Sequence, residues 1–329
     1  QEHNMSLTIN HQTDDISNLT GATTFNGVAV GGDNSPLAFF GTRGIFAGGL
    51  LNSGSTNRIE YVTIASPSNA TDFGDLSEAT NNGAGVSNGT RGCIALGNAT
   101  TSGVVNIIEY ITIANTGNST DFGDLTDTRY NIMAGNHGVT RGIFGGGRHG
   151  APSYTVRNTI DYITIATTGN ATDFGDLTST RVHLATASDE TRALFAGGNT
   201  SNIIDYVTVD TTGNATDFGD LQSNTNAGSG VGDGTYGVFK YGSNATNTLG
   251  VVTIQTAGNA TTFGTLGTAR YREAGNVVDG TYGLFAGGQD TNGTKLTSIE
   301  YITVATLGNA SSFGNLTEAK SYPTGLQGT

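Results

Sequence analysis

The chain has 329 residues, of which 51 are glycine, 4 are proline, none is tryptophan and only 12% are charged. A net charge of −13, with 14 Lys plus Arg and no basic run, argues against a nucleic-acid partner, because a phosphate backbone would be repelled. No apolar stretch reaches membrane-spanning length, so no membrane span is expected. The composition is not the charge-rich one of a disordered chain either; it suits short strands joined by turns in which Gly and Asn supply positive φ.

The chain begins at Gln1 with Met5 close behind. No signal peptide is visible, and either the start is processed or Gln1–Asn4 precede a native start at Met5. Residues 1–40 carry no copy of the repeat that begins at residue 41. Within them Ser6–Ser17 and Thr24–Gly32 alternate like strands with turn residues between. They read as an N-terminal extended arm or attachment segment, or as a hairpin capping the repeats.

From residue 41 onward one pattern recurs. Asp72-Phe73-Gly74-Asp75-Leu76 returns at Phe122, Phe174, Phe218, Phe263 and Phe313, at spacings of 49, 52, 44, 45 and 50. Each unit of about 48 residues carries four strand-like segments. The first is small and Gly/Ala-rich, as in Asn131–Gly135. The second ends in glycines, as in Arg43–Gly49. The third alternates, as in Ile59–Ile64. The fourth is the Phe-Gly-x-Leu run. Four strands per unit at this period predict a six-bladed β-propeller over 41–329, with no helix. Small first strands suit a crowded axis, and the six phenylalanines suit the wider rim. Lys320–Thr329 matches the first-strand segment of other units, such as Arg270–Thr281, whereas the first unit begins at its second strand. The C-terminal strand is therefore expected to complete blade one.

Candidate chemistry is sparse. The recurring carboxylates Asp72/Asp75, Asp121/Asp124, Asp173/Asp176 and Asp217/Asp220 read as turn caps rather than a Ca²⁺ site, since two units replace them and Ca²⁺ wants six to eight oxygens. Glu60, Glu109, Asp161, Asp205 and Glu300 on the third strands, and Arg43, Arg91, Arg141 and Arg192 opening the second, suggest structural ion pairs. The histidines, His3, His11, His137, His149 and His183, show no metal-ligand spacing, so no metal and no cofactor is expected. No Ser-His-Asp triad is expected. The single cysteine, Cys93, reads as a small buried hydrophobe. Sequons at Asn69, Asn118, Asn170 and Asn214 follow the repetition and would fall on the rim. The most distinctive loop runs from Arg148 to Arg157. Its Arg148, His149, Tyr154 and Arg157 are the candidate binding residues, because loops on a rigid scaffold are where binding concentrates.

Gly-Gly after an apolar strand, then an acidic-Tyr strand, then an aromatic plus Leu, resembles the kelch repeat. The family usually has Trp where this chain has Phe73, Phe122, Phe174, Phe218, Phe263 and Phe313. The second unit departs with Leu96-Gly97-Asn98 in place of Gly-Gly, and the fifth with Lys240-Tyr241-Gly242 and Gly250-Val251. The wording Thr-Gly-Asn-Ala-Thr-Asp-Phe-Gly-Asp-Leu is also similar to kelch-like structural proteins of marine tailed phages. The Ile9–Ser17 run resembles segments that precede tail-fibre modules there. The resemblance implies a non-enzymatic structural or binding propeller on a virion or extracellular surface: a tail-fibre, decoration or host-adsorption module. Its partners would be other virion or surface-assembly proteins, held through residues 1–40, and a cell-surface glycan. A lectin-like carbohydrate-binding ring is the alternative. A kelch-type copper oxidase is the second, although beyond Cys93 no residue pattern matches it.

Overall fold

The computed structural model describes residues 41–134, 140–226, 228–242 and 245–328, together with the four short strands Thr8–Asn10, Asp15–Ser17, Thr23–Phe25 and Val28–Val30. The chain separates into two compact units, 1–37 and 38–329. In the first, Thr8–Asn10 pairs antiparallel with Asp15–Ser17, and Thr23–Phe25 with Val28–Val30.

The second unit is an all-β propeller arrangement of four-stranded antiparallel blades, with no helix among the described residues. Five sheets have four strands each, taken in chain order from the inner to the outer strand. Ala185–Ser188, Arg192–Ala196, Ser201–Thr208 and Thr216–Thr225 make a typical one. Inner strands are rich in small residues because they pack backbone to backbone. A Cβ at Gly230 would meet the Thr186 carbonyl at 2.3 Å, and one at Gly275 the Gly230 carbonyl at 2.5 Å. Between blades, apolar side chains of both faces merge into common clusters; Ile143, Phe174, Phe195 and Val207 illustrate the mixture. All six repeat phenylalanines are buried, at 2–5% exposure. Five meet a tyrosine of the third strand edge-on, as Phe73 meets Tyr61 at 6.0 Å.

The remaining sheet differs from the expected pattern of six alike blades. It has seven strands. Thr324–Gly328 pairs with Arg43–Ala47, so the C-terminal strand does sit beside the first unit's second strand. Gly54–Thr63, against which Leu50–Leu51 also pairs, and Thr71–Asn81 come next, and the short hairpin Asn98–Ala99 and Gly103–Val104 continues the sheet by pairing across Thr80 and Asn81. The hairpin follows Leu96-Gly97-Asn98. There Leu96 replaces the first glycine of the pair and the chain after the second unit's second strand runs along its neighbour; Tyr241 makes the same replacement in the fifth unit, whose blade keeps four strands, so the exchange alone does not dictate the extension.

Candidate functional site

The repeated residues form a belt at the rim. Six asparagines each accept, through Oδ1, the backbone N–H next after the Phe-Gly step of the preceding unit. Asn118 takes it from Asp75, Asn170 from Asp124, Asn214 from Asp176, Asn259 from Asp220, Asn309 from Thr265 and Asn69 from Asn315, at 3.0–3.1 Å. Backbone bonds reinforce each crossing; Gly117 N–H donates to Phe73 C=O and Ser119 N–H to Asp75 C=O. Gly74, at φ +154°, has to be glycine because a Cβ there would lie 2.2 Å from the Gly117 carbonyl. The expected Asp caps are therefore corrected. At these crossings the capping oxygen belongs to Asn, while Asp72 and Asp75 stand exposed.

The ion pairs are corrected too. Asp161 pairs with Arg129, Asp205 with Arg181, Glu300 with Arg270 and Glu60 with Lys320, all buried. The cation comes from the segment leading into the inner strand, not from the second strand. Register explains this: Arg43 lies opposite Thr63, and Glu60 opposite Phe46, so Arg43 and Glu60 face opposite sides of the sheet. Each acid also holds the end of the preceding blade, as Asp205 accepts from Thr178 N–H at 3.0 Å and its hydroxyl at 2.7 Å. Burial lowers the Arg129 and Arg181 pKa values, with Asp161 and Asp205 opposing. Arg43, Arg91, Arg141 and Arg192 instead cover tyrosine rings at 4.4–4.8 Å and donate to carbonyls of the next blade, as Arg91 does to Ile165 at 3.0 Å.

Where the units stop agreeing is the mouth of the axis. Two residues beyond Thr80, Arg129, Arg181, Arg270 and Lys320 stand Asn82, Asn131, His183, Arg272 and Tyr322; the counterpart in the fifth unit, Ala227, lies outside the described residues. These five have φ of 61, 55, 57, 63 and 56°, a region that His, Arg and Tyr enter only at a cost of order 1–3 kcal/mol each. Successive units join here by backbone bonds: Asn131 N–H to Asn82 C=O at 3.0 Å, His183 to Asn131 at 3.3 Å and Tyr322 to Arg272 at 2.6 Å. All five line a cavity of about 50 Å³, room for roughly three or four waters. Inner-strand residues also line it. Asn276, from the sixth unit's inner strand, donates from Nδ2 to Ala134 C=O at 2.7 Å and to Thr186 Oγ1 at 3.0 Å.

The mouth is layered. The Arg272 guanidinium lies 4.7 Å from the Tyr271 ring and 4.8 Å from the Tyr322 ring, and Tyr322 stacks on His183 at 5.9 Å. Burial first, then Arg272 and Arg148, holds the His183 pKa down at about 4, so the ring is neutral at pH 7. Burial pushes the Tyr322 hydroxyl up to about 12. Arg272 Nε, Arg148 Nε, Asn82 Oδ1 and Asn131 Oδ1 are buried without hydrogen-bond partners. The nearby Glu273 is engaged by Ser229 Oγ at 2.6 Å and lies 3.9 Å from Lys240 Nζ.

The four candidate loop residues divide between two tasks. His149 and Arg157 are tied to Asp127: His149 Nε2 contacts the carboxylate, and Arg157 Nε reaches His149 at 2.8 Å and Asp127 at 3.7 Å. Arg148 is bridged backbone to backbone with Tyr130, and its guanidinium lies 5.9 Å from the Tyr130 ring and 5.7 Å from that of Tyr154. Tyr154, 52% exposed, borders an open cleft between residues 149–154 and the Asn98–Val104 hairpin. Arg148 thus stands between cleft and axis. Sequence reasoning misses Asn82, Asn131, Arg272 and Tyr322. Superposing the six copies and looking for the column of greatest chemical variety would find them.

Catalytic motifs find no such setting. Gly85-Val86-Ser87-Asn88-Gly89 has the spelling of a nucleophile elbow. Ser87, however, is 1% exposed inside an inner strand that turns into another strand, not a helix. Cys93 stands opposite Tyr110 in register, but burial raises its thiol to about 12, far from the reactive thiolate. Among the described residues no three His, Cys, Asp or Glu side chains are grouped to hold a metal. His137 lies outside the described residues, as do His3 and His11. No protein-family model matches the chain, and no curated protein matches it significantly.

Proposed function

We propose that the chain is a six-bladed, kelch-like propeller that acts as a non-enzymatic binding module on a virion or extracellular surface. Six blades are supported by the six asparagine crossings, the last of which joins Asn315 to Asn69 and so returns from the end of the repeat to its beginning. On this reading the seven-stranded sheet is blade one, completed by Thr324–Gly328 and extended by a hairpin borrowed from blade two. The kelch and phage resemblances supply the setting, and residues 1–40 the attachment to other assembly proteins.

The observation that carries a binding role is the contrast of columns. Positions with structural duties repeat in nearly every unit, whereas His183, Arg272 and Tyr322 differ in chemistry and hold a costly backbone at a concave, solvent-facing mouth. Antibody labelling of assembled particles tests the surface assignment; particles that stay unlabelled would count against it. A carbohydrate-binding reading is favoured by the tyrosines at the mouth and cleft, Tyr130, Tyr154, Tyr271 and Tyr322, which offer flat apolar faces with polar edges.

A further inference from the structure

The mouth has a preference that its composition alone does not state. The protein carries a net charge of −13, yet Arg272 at the mouth and Arg148, whose charge also acts on His183, have no ion-pair partner among the described residues. Elsewhere arginines have an acceptor for their terminal nitrogens, even where Nε is left open as at Arg129 and Arg181: Arg129, Arg181 and Arg270 bind buried carboxylates, and Arg43, Arg91, Arg141 and Arg192 bind carbonyls of the next blade. The Arg272 Nε is buried and finds no acceptor among the described residues. A buried cationic donor left open in this way is unfavourable until an acceptor arrives. His183 adds no positive charge of its own at pH 7, and Glu273 is already held by Ser229 and by the Lys240 charge.

We infer that the axial mouth is a binding site for the carboxylate end of an acidic saccharide, with Arg272 as the acid-binding residue. The inference rests on the binding-module reading above and deepens it. The planar guanidinium, fixed between Tyr271 and Tyr322, presents a fork that matches a carboxylate in two parallel hydrogen bonds. The Asn82 and Asn131 amides, whose Oδ1 atoms lack partners, suit sugar hydroxyls beside that acid. With room for roughly three or four waters, the cavity takes the acid group, and the pyranose lies above it. There Tyr130 and Arg148 border the route toward Tyr154. The site is preformed, because backbone bonds between units hold Asn82, Asn131 and His183 in turn.

Titration calorimetry of the full chain with a tetramer of galacturonic acid, its methyl ester, a sulfated oligosaccharide and a neutral oligosaccharide tests this. The uronic tetramer is expected to bind and the methyl ester not. Arg272→Asn, which keeps a residue tolerant of positive φ, should weaken binding by about tenfold or more, since hydrogen bonds to charged groups carry that much. A thermal melt of the variant checks that the fold is kept. Equal binding by Arg272→Asn, binding by the ester, or no binding of the uronic tetramer at millimolar concentration would each overturn the site. Preference for the sulfated probe would overturn the carboxylate assignment in favour of a sulfate ester. None of these outcomes touches the surface location, which antibody labelling tests separately.

Discussion

The rim and the axis of this propeller are built from the same six repeats and use them in opposite ways. At the rim each unit does the same thing: an asparagine caps the neighbour's strand, and a phenylalanine fills the seam. At the axis mouth one column holds asparagine twice, then histidine, arginine and tyrosine, all at positive φ. Sameness marks the contacts that every seam needs. Variety, kept at a backbone position that penalises it, marks a surface under a different demand.

The sharpest way to break the comparison is to cut the ring. Deleting residues 318–329 removes the strand paired with Arg43–Ala47 and the Lys320 partner of Glu60. Cooperative unfolding should be lost; an unchanged melting temperature would show that the seams hold without closure. Next in size is a buried ion pair. Arg181→Met leaves Asp205 buried with no cation, a loss of about 3–5 kcal/mol in urea unfolding. Arg181→Met combined with Asp205→Leu should recover part of it. Gly175→Ala acts on a seam alone: at φ +144° its Cβ would lie 2.4 Å from the Gly213 carbonyl, and about 1–3 kcal/mol should be lost.

The effect at the mouth depends on pH and vanishes near neutrality. His183 takes a proton at 6.5 when unfolded but only at about 4 when folded. Its neutral, buried ring therefore contributes stability that is intact above pH 6.5 and lost as pH falls from 6.5 toward 4. His183→Asn should flatten this part of the stability profile; an unchanged slope between pH 6.5 and 4 would place the acid sensitivity elsewhere.

Much of the architecture is legible in the chain because each blade repeats a local pattern: apolar alternation, Gly-Gly stops and one Phe-Gly step. The pairing of Thr324–Gly328 with Arg43–Ala47 is readable because Lys320–Thr329 repeats Arg270–Thr281. The seven-stranded sheet has no mark of its own in the chain: Leu96-Gly97 departs from Gly-Gly as Tyr241-Gly242 does in a four-stranded blade, and the pairing depends on where the neighbouring Thr80 and Asn81 lie. The ion pairs escape a reading by sequence because strand parity decides which face a charge takes, and the cations sit outside the strands compared. The belt asparagines are visible as sequons, yet their role spans two units and belongs to no single copy. At the mouth, Arg148 stands out within its loop, while Arg272 and Tyr322 look like ordinary turn residues. Their proximity arises only when first strands from distant repeats meet.

The central claim is that the axis column serves something other than the fold. The urea midpoint of a His183→Asn, Arg272→Asn double variant tests it most directly, because asparagine already occupies this position at Asn82 and Asn131. The midpoint should hold or rise, as two strained side chains give way to one that tolerates positive φ. A fall as large as that of Gly175→Ala would contradict the account and make the mouth part of the scaffold.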